Sequence, residues 1–129
     1  MTSDIPRCID QIERLTEAIG GPQAVCRLTA GQTLAGLIAS PDGAVFTSGG
    51  GFIAAQMGQT TINPERIAVE HGWFAEDRSG LRLLRQFERW SSEGGASLMK
   101  VSCKGGAAQR ILERRGYAVA EVQMVKKVG

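Results

Sequence analysis

One stretch constrains the fold more than any other: an alternating run over residues 66–75 passes through a tight polar turn into a strongly amphipathic helical pattern. Ile67, Val69, His71 and Trp73 alternate with Ala68, Glu70, Gly72 and Phe74. Both sets are partly apolar, which predicts a central strand covered on two faces. After the turn, Leu81, Leu84, Phe87 and Trp90 fall on one helical stripe with Leu83 beside it, while Arg82, Arg85, Glu88 and Arg89 lie mostly outside. A covered strand followed at once by such a helix predicts a mixed α/β architecture.

The turn has chemistry of its own. The first amides of a helix lack internal partners and sit at the positive end of its dipole. An anion near Arg78, Ser79, Gly80 and Leu81 could therefore take several hydrogen bonds at once. Gly80 permits close approach, and Arg78 and Arg82 add charge. A purely structural turn is the alternative, since every α/β protein has such junctions.

The flanking sequence supplies the other elements. Ile5, Cys8, Ile9, Ile12, Leu15 and Ile19 recur at helical spacing, with Ser3 or Asp4 as N-cap, Pro6 in the first turn and Gly20-Gly21-Pro22 as the stop. A shorter helix is expected over residues 31–39, and residues 22–30 carry no clear signal. Strands follow over 44–48 and 52–61, joined by Gly49-Gly50-Gly51, for which positive backbone angles are expected. After the amphipathic helix, closed by Gly94-Gly95, a buried strand is expected over 97–103, a helix over 107–115 ending at Gly116, and a last strand over 117–127. Met57, Met99 and Met124 fit core spacing. No repeat or low-complexity linker interrupts the chain, so residues 1–129 read as one domain.

Composition excludes several classes. With 15 basic and 13 acidic residues the net charge is +2, and the basic residues are dispersed, so no nucleic-acid surface is expected. No apolar window approaches the roughly 20 residues needed to span a bilayer, and no leader segment is visible. Three cysteines without CxxC spacing argue against a disulfide framework or structural zinc and for a cytoplasmic setting. His71, the one histidine, supplies no metal site by itself and reads as a core or interface residue. Cys103 reads as a buried structural cysteine.

Over residues 4–127 the chain resembles the GNAT N-acetyltransferases, in particular small bacterial and prophage-type members. The resemblance rests on the element order and on Ile38-Ala-Ser-Pro-Asp-Gly-Ala-Val-Phe46, Ala68-Val-Glu-His-Gly-Trp-Phe74, Gly80-Leu-Arg-Leu-Leu-Arg-Gln-Phe-Glu-Arg-Trp90 with Gly95-Ala96 after it, and Ile111-Leu-Glu-Arg-Arg-Gly-Tyr117. It implies the GNAT α/β fold with a mixed sheet. The family's first strand is missing or truncated, because only Met1 to Asp4 precede the first helix; a second copy in a homodimer could cover the edge left open.

The resemblance further implies acetyl-CoA as cosubstrate and a primary amine as acceptor. Trp73, Phe74 and Ala75 would line the pantetheine, and Arg78, Ser79, Gly80, Leu81 and Arg82 would receive the pyrophosphate. The family's Gln/Arg-x-x-Gly-x-Gly/Ala turn keeps only its last glycine in Ala75–Gly80, with Arg78 at the middle one. Glu70 lies where some members carry a catalytic Glu, and part-burial there would give it the raised pKa a base requires; pairing with an arginine is its structural alternative. The family's thiolate-protonating Tyr falls at Ile111 or Leu112. Tyr117, the only tyrosine, is the remaining candidate for that acid and otherwise packs into the core. The alternative to an enzyme is a GNAT-fold binding or assembly module without catalysis, of phage-derived type.

Overall fold

The computed structural model describes residues 4–129. Two helices come first, α1 (Ile5–Ile19) and α2 (Arg27–Ala39), then the strands β1 (Gly43–Ser48), β2 (Gly51–Gly58) and β3 (Ile67–Ala75). They are followed by α3 (Gly80–Glu93), β4 (Leu98–Lys100) and α4 (Gly106–Arg114). The sheet order is β1-β2-β3-β4, with the first three antiparallel and β4 parallel to β3. β1 and β4 are the edges, and the described residues contain no strand before α1.

Period-2 alternation along β2 builds two cores. Ile53, Ala55 and Met57 face Leu84 and Phe87 of α3 and Leu112 of α4. Phe52 and Ala54 face Cys8 and Ile9 of α1 with Leu34 and Leu37 of α2. Phe52, Ile53, Leu83, Leu84 and Phe87 are all under 2% exposed. Each such side chain contributes about 1.5–3 kcal/mol by leaving water. Helices on both faces are what a two-sided apolar strand demands.

The helix punctuation works as the sequence predicts at several points. α1 has proline in its first turn and ends at Gly20 with φ 64°. Gly116, just past α4, has φ 91°. Asp4 occupies the N-cap of α1 without capping an amide; it instead accepts hydrogen bonds from Arg7 and Thr47. Ser3, the other N-cap candidate, lies outside the described residues. α2 begins earlier than expected, at Arg27, with Cys26 as N-cap.

Other expectations are corrected. None of Gly49, Gly50 and Gly51 has a positive φ. Glycine is required there for clearance: a Cβ on Gly50 would lie 2.6 Å from the Asp77 carboxyl, and one on Gly51 would lie 2.4 Å from the Phe74 carbonyl oxygen. The β1–β2 turn is thus pressed against the junction between β3 and α3. β4 spans three residues rather than seven and is largely exposed. Residues 117–127 form no strand, and 118–129 are exposed throughout, including Met124 at 87%. Lacking a ladder partner, that segment's alternation has nothing to fold against. No helix among the described residues is long and apolar enough to cross a membrane.

Candidate functional site

The site begins where β3 departs from both neighbours. Against β2, Ala55 pairs with Glu70 while Ala54 pairs with Gly72, so His71 is an extra residue in a β-bulge. A bulge shifts the phase of the strand. Glu70 stays with Ala55 on the α3 side, and Trp73, opposite Ile53, returns to that side. Phe74 packs with Phe52 on the α1/α2 side. The simple alternation that groups Trp73 with His71 is therefore corrected: Trp73 lies on the face of Glu70. Gly72 makes the bulge possible, since a Cβ there would come within 3.1 Å of the Phe52 ring.

Against β4, the parallel ladder consists of Ile67–Leu98, Ala68–Met99 and Val69–Lys100, and then the strands part. At the point of parting the Glu70 carboxylate takes the place of a backbone acceptor, with the Ser102 amide donating to its Oε1 at 2.9 Å. Glu70 is only 8% exposed. Burial pushes its carboxyl up to about 7 from the usual 4.5, opposed only by the Ser102 hydrogen bond. Beyond it, residues 70–75 have no ladder partner on the β4 side among the described residues.

The polar turn lies at the far end of this unpaired strand edge. The Trp73 indole Nε1 donates to the Gly80 carbonyl at 3.0 Å, tying strand to helix. Leu81 is half-buried, whereas Arg78 and Arg82 are exposed beside the start of α3. No side chain caps α3. Ser79 is instead buried, its amide and hydroxyl both donating to Asp77 Oδ1, with the hydroxyl 2.7 Å from that of Ser48. The Ser79 hydroxyl and then its amide hold the Asp77 carboxyl below its ordinary range. A Cβ at Gly80 would meet only ordinary contacts, the nearest at 3.6 Å. The fold itself does not require a glycine at that position.

Tyr117 stands apart from this group. Its hydroxyl donates to Glu88 Oε2 at 3.0 Å, and Arg115 holds the other oxygen of the same carboxylate. Burial, then the negative Glu88, pushes the phenol well above its usual pKa. A phenol held this way is a poor proton donor, so the geometry supports packing rather than thiolate protonation. Cys103 is exposed, correcting the expectation of a buried thiol.

His71 is the residue sequence reasoning undervalued. It is exposed rather than in the core, and its Nε2 lies 3.2 Å from Gln56 Oε1. Its ring forms a shared wall between two cavities on the α1/α2 face, of about 640 and 320 Å³. The available signal was the adjacent Gly72, since glycine inside a strand often marks a bulge. No cluster of three or more potential metal ligands exists among the described residues.

No family model matches the sequence, and neither does any curated protein. Solved structures do match over nearly the full length. An integron cassette protein from the mobile metagenome of Cole Harbour Salt Marsh superposes with a TM-score of 0.74 at 14% identity, covering 98% of this chain and 86% of that one. An acetyltransferase from Trypanosoma brucei gives 0.70 at 14% identity, over 99% of this chain and 95% of its own. A GNAT family acetyltransferase from Staphylococcus aureus gives 0.62 at 14% identity, over 98% and 93%. The parted β3 and β4, the bulge and the helix-led turn therefore sit in a mixed α/β chain with the fold of the GNAT acetyltransferases.

Proposed function

We propose that the chain is an acetyl-CoA-dependent N-acetyltransferase in which a primary amine attacks the acetyl group directly. One observation carries this: the β3–β4 ladder ends just before Glu70, a buried carboxyl with its pKa raised to about 7 beside strand backbone left unpaired on the β4 side. A base for an amine needs a pKa of that order, together with access to the reacting nitrogen. Acetyl-CoA as cosubstrate supplies an acetyl group activated as a thioester.

The residues present fit that molecule. The uncapped start of α3 at Gly80 and Leu81, flanked by Arg78 and Arg82, offers amides and charge to its pyrophosphate. Ser79 orients the turn. The free backbone of Trp73, Phe74 and Ala75 offers hydrogen bonds to the amide-bearing arm. As the acceptor nitrogen bonds to the acetyl carbon, the thioester C–S bond breaks. The proton leaving nitrogen passes to the Glu70 carboxylate, and the thiolate takes one from solvent. A reducing cytoplasm suits a chain whose Cys8, Cys26 and Cys103 are all free.

The alternative, a GNAT-fold binding or assembly module without catalysis, is favoured by one observation. Asp77 already occupies the Ser79 amide and places a negative charge where the pyrophosphate would lie. Thermal unfolding with acetyl-CoA and CoA separates the two. Cosubstrate at 100 times its Kd is expected to stabilise the fold by about 2.7 kcal/mol, read as a rise in Tm of several degrees. An unchanged Tm at millimolar acetyl-CoA rejects the enzyme and leaves the module.

A further inference from the structure

α3 carries its charge in an arrangement that does nothing for the helix itself. Successive residues turn by about 100°, so Arg82, Arg85 and Arg89 fall within an arc of about 60° opposite the buried Leu83, Leu84, Phe87 and Ser91. Arg78, just before the N-cap Ser79, stands at the head of the row. All four are exposed, and none has an ion-pair partner among the described residues. The arginines of the other face are paired: Arg7 with Asp4, Arg14 with Glu76, and Arg27 with Asp10 and Glu13. Arg66 and Arg115 are paired as well, with Asp42 and Glu88, which leaves only Arg110 and Arg114 of α4 in the same unpaired state as the row.

Like charges three and four residues apart repel along a helix, and a cation in the first turn opposes the macrodipole. α3 has no acidic residue in its first turn and no basic residue in its last, while Glu88 and Glu93 stand in its C-terminal half. The row therefore weakens its own helix, and its use lies outside the chain. A phosphate at the helix start accounts for Arg78 and Arg82 only, since Arg89 lies about 14 Å beyond Gly80 along the axis.

We infer that the outer ridge of α3 docks an acidic α-helix of a partner protein, whose carboxylates, three and four residues apart, meet Arg82, Arg85 and Arg89. Guanidinium forks hold carboxylates in bidentate pairs, and the row is arginine throughout, without lysine. A partner helix repeats its side chains at the same spacing, so one straight stripe meets another. Nucleic acid fits less well: every aromatic side chain is buried or half-buried and so withheld from bases, and Glu88 and Glu93 interrupt the positive field on the same helix. The inference goes beyond the acetyltransferase reading and holds for enzyme and module alike.

The probe is an alanine-based peptide long enough to be helical alone, with glutamates three and four residues apart on one face. It is set against an isomer with the same residues spread round the helix. At low salt the striped peptide is expected to bind at least about tenfold more tightly than the isomer, and added salt should weaken it. Arg85→Glu/Arg89→Glu should lose about tenfold or more in affinity, whereas Lys126→Glu/Lys127→Glu, the same charge change off the row, should stay within about threefold. Arg85→Gln/Arg89→Gln should lose affinity in the same direction, with a Tm no lower than the parent's, because the row adds nothing to the fold. Acetyl-CoA should act on Tm alike in parent and variants, which separates this docking from the cosubstrate site. Equal binding of the two peptides, full binding by either Arg85/Arg89 variant, or an equal loss in the lysine variant overturns the inference. So does a Tm drop of several degrees in the Gln variant, which would make the row structural, or an acetyl-CoA response lost with Arg85 and Arg89. Tighter binding of a short DNA duplex than of the striped peptide would assign the ridge to nucleic acid instead.

Discussion

Glu70→Gln is expected to lower kcat for amine acetylation by about 100-fold or more, the usual worth of a positioned general base. Acetyl-CoA affinity should change by less than about threefold, because Gln retains an oxygen to accept the Ser102 amide. On the proposed mechanism, kcat of the parent chain should rise with pH through about 7 as Glu70 ionises, and the variant should lack that limb. Stability carries a second signature with a definite sign. Below pH 4.5 the carboxyl is protonated in both folded and unfolded chains. Between 4.5 and about 7 the unfolded chain releases a proton that the folded chain keeps, so stability falls as pH rises. Above about 7 the loss is constant, on the order of 3 kcal/mol. Glu70→Gln has no such slope and should gain on the parent between pH 5 and 8 in denaturant titrations. A variant with full kcat, or one whose stability tracks the parent's across that range, would remove Glu70 from the role.

Phe87→Ala should have the largest effect on stability. Phe87 is 0% exposed, lies within the core between the sheet and α3, and has its ring centroid 6.3 Å from that of Trp90. Truncation removes transfer energy and leaves a cavity, which together cost about 3–5 kcal/mol. Against a total of about 5–15 kcal/mol for an ordinary domain, that is a large share. The urea midpoint should fall with little change in slope, and Tm should fall by on the order of 10–20 °C. Because α3 also carries the turn at Gly80, acetyl-CoA should recover part of the loss. A shift under about 1 kcal/mol would mean that the core around Phe87 can collapse to fill the space.

Much of the scaffold was legible because it is encoded locally. The apolar stripe of α1 predicts Ile5–Ile19, and that of α3 places its start at Gly80. The strands β1 to β3 follow from alternation bounded by glycine and proline turns. α2 was recognised only in its second half, since Thr29, Ala30 and Gly31 give its opening little apolar contrast. β4 was overestimated because its length is a tertiary matter: after Lys100 the next amides leave the ladder, and a side chain from β3 receives one of them. Residues 117–127 alternate plausibly but meet no neighbouring strand.

The candidate site divides in the same way. Glu70 could be singled out as a residue type on a central strand, but its burial and its hold on Ser102 depend on a strand 30 residues away in sequence. Even alternation turns His71 away from Glu70, onto a face where a core or interface residue is expected. The structure instead makes it the extra residue that faces α2 and the cavities. Asp77 drew no attention, because its effect depends on Ser79 folding back onto it.

The bulge at His71 also fixes how this strand can vary over time. Substitutions there change one side chain, and loss of the extra residue removes that side chain without changing the pairing on either side of it. Deleting position 71 would restore even pleating with Glu70 still opposite Ala55 and Gly72 opposite Ala54, so that Trp73 stays on the α3 side, Phe74 on the α1/α2 side, and the indole keeps its hold on Gly80. Position 71 is thus replaceable both in kind and in number. A length change elsewhere in the strand, where every residue is paired, would instead slip the register and exchange the faces of the residues beyond it.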